Sequence, residues 1–199
     1  MATTPNDLWL VRHGETEWSL TRRHTGRTDI PLTAHGEQQA ATLQPRLAEI
    51  DFALVLASPL QRAHRTAELA GFAGRIESEP DLMELDYGQY EGITTAEIRE
   101  TRPDWDLWRD GCPGGETVAE AAARAARVIA RARAADGPVL LVAHAHMLRT
   151  LAPVALDLHP DTGRHLLVDP TSISVVGNER GTPALKLWND LGHLPEPSA

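Results

Sequence analysis

Short apolar runs alternate along the chain with stretches whose apolar positions recur every three or four residues. Leu8-Trp9-Leu10-Val11, Leu54-Val55-Leu56-Ala57 and Val139-Leu140-Leu141-Val142 are uninterrupted apolar runs. Each is too short for a buried helix and has the character of a strand covered on both faces. Between them the period changes. Ala40, Leu43, Leu47 and Ile50 predict a helix following Thr33, with Pro45 either kinking it or standing where a lost hydrogen bond matters little. Ser58-Pro59 reads as an N-cap followed by proline at the first helical position, opening a helix to about Ala70. Thr94 with Glu97, and Thr117 with Glu120, have capping-box spacing. After Thr117, one helical face carries Val118, Ala121, Ala125, Val128 and Ala132, and the other Glu120, Arg124, Arg127 and Arg131. A loop is expected at Gly111–Gly115, a helix from about His146 to Leu156, last strands at Ile173–Val176 and Leu185–Trp188, and a loose tail from Leu194. Apolar strands alternating with helices predict an α/β fold with a mainly parallel sheet covered on both faces.

Composition narrows the class. A chain of 199 residues suits one domain, here 1–199, with a core that needs no staples. Its single cysteine, Cys112, excludes an internal disulfide framework. No run approaches the ~18 apolar residues of a membrane span, and MATTPNDLW lacks the basic and apolar regions of a signal peptide, so a cytoplasmic location is expected. The net charge of −9 argues against a nucleic acid or an anionic membrane as partner. Lys186 is the only lysine, so a phosphate group would have to be held by arginine, histidine or backbone. No metal or other cofactor is implied, and the oligomeric state stays open, a homodimer included.

In parallel sheets, ligands bind beyond the carboxyl ends of the strands. The first apolar run ends in Arg12-His13-Gly14-Glu15, the second in Ser58-Pro59-Leu60-Gln61-Arg62, and the third in His144-Ala145-His146. Alone, each residue has an ordinary structural reading, such as a packed histidine or a solvated helix arginine. Together they bring Arg12, His13, Arg62 and His144 to one sheet edge, a combination suited to a tetrahedral oxyanion. The segment Leu82–Gly92 adds Glu84, Asp86 and Glu91, and spacing alone does not say which of them approaches that edge.

At this point a family resemblance is plain. Arg12-His13-Gly14-Glu15 with Thr25-Gly26 and Leu32-Thr33, then Ser58-Pro-Leu-Gln-Arg62, Glu84 before Tyr87-Gly88, Gly115-Glu116-Thr117 and Val142-Ala143-His144 resemble, in order, the signature of the histidine phosphatase (phosphoglycerate-mutase-like) superfamily. The likeness runs from about residue 8 to residue 150. It implies a three-layer α/β/α sandwich. It implies that His13 is the nucleophile and becomes phosphohistidine, and that Arg12, Arg62 and His144 surround the transferred phosphoryl group. Glu84 then matches the proton donor, which must hold a proton when substrate arrives. Ser19 stands where many members have asparagine, Thr25 and Gly26 match the segment over the phosphate, and Ala145 stands where glycine is usual. A backbone contact survives the Ala145 methyl group provided φ there is negative.

The resemblance also bears on the outcome of the reaction. Mutases of the family carry an insertion between the segments matching Glu84 and His144, and a leucine-asparagine-lysine run where this chain has Ile93-Thr94-Thr95. The short segment favours a phosphatase acting on a small phosphorylated substrate, with phosphoglycerate mutase as the alternative. Arg99, Arg102 and Arg109 could supply a mutase's basic residues, although helix-surface charge is the plainer reading. The tryptophan-bearing stretch from Trp105 to Thr117 resembles the sedoheptulose-bisphosphatase type and the actinobacterial acid phosphatases. In that light His24, Tyr87, His146 and Arg149 become candidates for contacts beyond the reacting phosphate, against core or lid packing for Tyr87 and the tryptophans. A non-catalytic binding module is a second class, but such a module would normally lack a nucleophile or proton donor, and His13 and Glu84 are both present.

Overall fold

A computed structural model describes residues 7–195. Residues 1–6, most of the stretch read as lacking a signal peptide, and 196–199, the end of the expected tail, lie outside it. In chain order the elements are β1 (Leu8–Arg12), α1 (Glu17–Leu20), α2 (Ala34–Ala41), α3 (Leu43–Leu47), β2 (Leu54–Ala57), α4 (Gln61–Ala67), β3 (Ile76–Ser78), α5 (Thr95–Thr101), α6 (Leu107–Asp110), α7 (Val118–Arg133), β4 (Val139–Ala143), α8 (Ala145–Ala155), β5 (Ile173–Glu179) and β6 (Thr182–Asp190).

The strands form one six-stranded sheet in the order β3-β2-β4-β1-β5-β6. The β3-β2, β2-β4 and β4-β1 pairs are parallel, and the β1-β5 and β5-β6 pairs are antiparallel. Helices flank the sheet on both sides, as the apolar runs predict. Because successive strand residues point to opposite faces, each central run feeds two cores. Leu8, Leu10, Leu56, Val139 and Leu141 pack with Val128, Ile129 and Ala132 of α7 and with Met147 and Leu151 of α8. Trp9, Val11, Val55, Leu140 and Val142 pack with Leu43 and Leu47 of α3 and with Ala63 and Ala67 of α4. A third cluster, Leu85, Tyr87, Ile98, Trp105, Leu107, Trp108 and Cys112, lies beyond the strand ends.

The helix expected after Thr33 is divided at Thr42, which places Pro45 in the first turn of α3, where its missing N–H has no intrahelical partner to lose. The expected N-cap at Ser58 is not realised. Leu60 is the N-cap of α4, and the Gln61 N–H is received instead by the Asp29 carboxylate at 2.8 Å. Ser58 is fully buried, and its hydroxyl faces His144. The helix ends near the expected place, passing through a wider turn closed by Gly71 at φ 97°. Both capping boxes form.

One face of α7 departs from expectation. Arg124 is only 9% exposed, although the pattern puts it on the polar side. Its guanidinium makes a two-pronged contact with Glu116 (2.7 Å each) and donates to the carbonyls of Asp81 (2.6 Å) and Met83 (2.9 Å). Arg127 pairs with Asp81, and Arg131 with Glu77 and Glu79. This row of arginines therefore fixes residues 77–83, the approach to Glu84.

Candidate active site

The first, second and fourth strands end side by side, so Arg12-His13, Ser58 and His144 arrive at one edge. The His13 backbone N–H continues the ladder to Ala143 O (2.9 Å), which sets the ring just past the sheet. His13 is buried, and its Nδ1 lies 2.7 Å from Gly14 O. A carbonyl only accepts, so Nδ1 carries the proton and Nε2 keeps the lone pair. Burial, followed by the positive charges of Arg62 and Arg12, holds the His13 pKa well below the usual histidine range, so the ring is neutral at pH 7.

Two guanidiniums act on this ring. Arg62, in the first turn of α4, is fully buried. It donates Nη1–H to Thr28 O (2.9 Å), Nη2–H to Thr25 O and Gly26 O (3.0 Å each), and Nε–H to His144 Nδ1 (3.2 Å). Arg12 donates Nη1–H to Val168 O (2.8 Å), while its Nε–H is buried with no protein partner. A buried, unpaired donor on the residue next to His13 is the kind of group an anionic ligand satisfies.

The His144 ring centroid is 5.1 Å from that of His13. Its Nδ1 accepts from Arg62 and its Nε2 lies 2.8 Å from the Ser58 hydroxyl, so both nitrogens are occupied. Burial and the neighbouring Arg62 lower its pKa well below the usual range, which keeps it neutral.

The three acids of the 82–92 segment separate by role. Glu84 is buried at the N-terminus of α8, where Oε1 accepts from the N–H of Met147 (2.8 Å) and Leu85 (3.0 Å), and Oε2 from that of His146 (3.1 Å). Asp86 receives the Gly88 N–H at 2.9 Å. Glu91 receives the N–H groups of Gly26 (2.9 Å) and Thr28 (3.1 Å), and so holds the loop whose carbonyls grip Arg62. Sequence reasoning singled out neither Ser58 as the partner of His144 nor Glu91 as an anchor; their only signal is proximity in the chain to Arg62 and Tyr87.

The remaining candidates divide. A Cβ on Gly26 would stand 2.5 Å from Leu85 O and 2.9 Å from the Tyr87 ring, so glycine is required there by close approach. The Thr25 carbonyl holds Arg62, and its hydroxyl donates to Arg23 O (3.2 Å). Ser19 is not brought to the pocket through its hydroxyl. That group donates to Thr16 O and accepts the Thr16 N–H, both at 2.9 Å, within the cap of α1. Ala145 opens α8 with ordinary helical φ, as a backbone contact there requires. Tyr87, His24 and His146 cluster, with ring centroids 4.8 Å apart for His24–Tyr87 and 5.8 Å for Tyr87–His146. Arg102 and Arg109 are committed elsewhere, to the Tyr90 hydroxyl and to Asp110. Arg99 instead lines a cavity of about 160 Å³ with His24, Trp105, Trp108 and His146. Among the described residues, no helix is long and apolar enough to cross a membrane, and no group of three or more His, Cys, Asp or Glu residues is arranged to hold a metal ion.

Comparison with known proteins places this geometry in a family. The model of the histidine phosphatase superfamily (branch 1) matches residues 8–191. An acid phosphatase of Mycobacterium tuberculosis is 39% identical over 203 residues, covering 100% of this chain and 99% of that protein. A sedoheptulose 1,7-bisphosphatase of Saccharomyces cerevisiae is 35% identical over 179 residues, covering 73% of this chain and 65% of its own. The solved structure of the open reading frame Rv3214 from Mycobacterium tuberculosis superposes with a TM-score of 0.87 at 38% identity, covering 92% of this chain and 96% of that one. With nearly the whole chain matched in sequence and fold, the protein belongs to branch 1 of the histidine phosphatase superfamily and is an enzyme of the phosphatase kind.

Proposed function

We propose that the protein is a metal-independent phosphomonoesterase that acts through a phosphohistidine at His13. Its substrate is a small phosphorylated metabolite, such as a sugar phosphate or bisphosphate. The observation that carries this reading is the state of His13: a neutral ring whose Nδ1–H is tied to Gly14 O, leaving the Nε2 lone pair free in the field of Arg62 and Arg12. Nucleophilic attack needs that lone pair, and the guanidiniums offset the charge on the equatorial phosphoryl oxygens.

In the first step Nε2 forms a bond to phosphorus and the bond from phosphorus to the ester oxygen breaks. Protonated Glu84 gives its proton to the departing oxygen. A carboxylic acid keeps lone pairs for the N–H groups of α8 while its O–H turns to the substrate, so the position of Glu84 is compatible with donation. In the second step water attacks phosphorus, Glu84 takes a proton from it, and the P–N bond breaks to return the electron pair to Nε2. His144 supports Arg62 at Nδ1 and packs against His13.

The test is phosphate release by purified protein with a chelator and no added metal. An aryl phosphate is run beside sugar phosphates, sugar bisphosphates and 3-phosphoglycerate. Release that is lost in His13→Ala, with acid-labile phosphate trapped on the wild type alone, is the expected result. Isomerisation of 3-phosphoglycerate without net release would make the protein a mutase. Full biological activity of His13→Ala would make it a binding module.

A further inference from the structure

Three side chains form a hydrogen-bonded chain that the reaction above does not use. Arg149 Nη1 lies 3.2 Å from His146 Nε2, and His146 Nδ1 lies 2.6 Å from the Tyr87 hydroxyl. A guanidinium donates and never accepts, so His146 Nε2 must be the acceptor. Burial, with the charge of Arg149 adding to it, holds the His146 pKa well below the usual range, so the ring carries one proton. That proton is then on Nδ1 and is donated to the Tyr87 oxygen. Tyr87 is itself buried, which pushes its pKa well up and keeps its own proton in place. With its oxygen already accepting from His146, the Tyr87 O–H has to point elsewhere.

Arg149 is built for such a role. It sits one helical turn beyond His146 on α8, and its Nε–H and Nη2–H go to the carbonyls of Gly163 (3.0 Å) and Arg164 (3.2 Å). The guanidinium lies 5.0 Å from the centre of the Trp108 ring. At the other end of the chain, the Tyr87 ring stands against Gly26, where a Cβ would come within 2.9 Å of it, and the Gly26 carbonyl holds Arg62. The cavity lined by His24, Arg99, Trp105, Trp108 and His146 adjoins it and has room for a few non-hydrogen atoms.

The geometry points to Arg149 as a positioning residue: by fixing the proton of His146 on Nδ1, it makes Tyr87 a hydrogen-bond donor to an oxygen on the leaving-group side of the substrate. The selected class is a monoester whose alcohol carries further hydroxyl or anionic oxygens, as opposed to a bare aryl ester. The inference rests on the phosphatase reading for its substrate, but the tautomer does not.

Two readouts test it. The first is ¹⁵N NMR of histidine-labelled protein, with the His146 signals assigned through His146→Gln. The proton is expected on Nδ1 in the wild type. In Arg149→Met it should move to Nε2, because the Tyr87 hydroxyl then donates to Nδ1. A wild-type proton on Nε2, or an unchanged tautomer in folded Arg149→Met, overturns the inference whether or not the protein hydrolyses anything. The second is the ratio of kcat/KM for a polyol monoester to that for an aryl phosphate. Losing one well-placed donor lowers that ratio about tenfold, mainly through KM. Arg149→Met and Tyr87→Phe should each do so, the double variant should fall no further, and Arg149→Lys, which keeps an N–H donor, should recover part. Parallel loss on both substrates, or multiplying effects in the double variant, would mean that Arg149 serves structure alone. Failure of the wild type to release phosphate from any ester would sink the phosphatase reading and leave the NMR result to decide the relay.

Discussion

Arg62 donates its Nε–H to Nδ1 of His144 at 3.2 Å, and this contact determines what each residue can do. His144 must carry its proton on Nε2, where the Ser58 hydroxyl receives it at 2.8 Å. Arg62 in turn is held in a single plane by His144 and the carbonyls of the 25–28 loop. Its planar fork, and not only its charge, is what the site uses. Arg62→Lys keeps the charge but cannot meet these acceptors from one nitrogen. We expect kcat/KM to fall about 10²-fold, the scale for losing one preorganised donor at a developing anion, with stability reduced as well. Steady-state kinetics on an aryl phosphate checks this, and a loss under threefold would show that point charge suffices.

Glu84→Gln keeps the shape and, with its amide oxygen in the place of Oε1, the contacts to the Met147 and Leu85 N–H groups, but it loses the His146 contact and has no acidic proton. A poor leaving group such as a sugar alkoxide needs that proton, whereas an aryl oxide hardly does. Turnover of a sugar phosphate should fall about 10²-fold or more, and that of an aryl phosphate by less than tenfold. Equal losses on the two substrates would remove Glu84 from the proton-donor role.

Much of the sheet was legible because its central strands are uninterrupted apolar runs, and a strand buried on both faces has little else it can be. The capping boxes at Thr94 and Thr117 were legible because both partners are local. What failed was non-local. Ile76-Glu77-Ser78 has no apolar run to mark it as a strand, since β3 is an edge strand with Glu77 and Ser78 exposed. The sequence pattern starts α4 too early because Asp29, over thirty residues upstream, receives the Gln61 N–H. Helical periodicity put Arg124 on the polar face; it cannot show that Glu116 and two carbonyls wait there to bury it. The residues that meet in the candidate site are legible as a set because three strand ends supply them, whereas nothing in the sequence shows that the Ser19 hydroxyl closes the cap of α1.

The Arg124–Glu116 pair is nearly enclosed, with both side chains 11% exposed. Removing one member of such a pair strands a buried charge. Arg124→Met should destabilise the protein by about 3–5 kcal/mol, read from urea unfolding. Because Arg124 also holds the carbonyls of Asp81 and Met83, it should additionally loosen the approach to Glu84. The double variant Arg124→Met/Glu116→Gln should recover part of the stability and little of the turnover on alkyl esters. If the double variant is as unstable as the single one, the stranded carboxylate is not the cause.

Stability should fall on the acid side for a reason that lies within the site itself. His13, His144 and His146 are buried neutral, and burial is the largest cause of each lowered pKa. In the unfolded chain each titrates near its ordinary value of 6.5. Below that pH the unfolded state binds protons that the folded state refuses, so the free energy of unfolding decreases as pH falls. Each histidine contributes a slope of up to about 1.4 kcal/mol per pH unit, which continues until its lowered folded-state pKa is reached. From about a pH unit above 6.5 the three contribute little pH dependence, because both states are then nearly all neutral. Urea unfolding between pH 7.5 and 5 in constant ionic strength should therefore show a flat region that turns down near pH 6.5. His146→Gln removes one of the three protons and should make the descent shallower by about one unit of proton uptake. An unchanged slope in that variant would mean that His146 becomes protonated in the folded protein, which would also undo the neutral ring on which the Tyr87 donor depends.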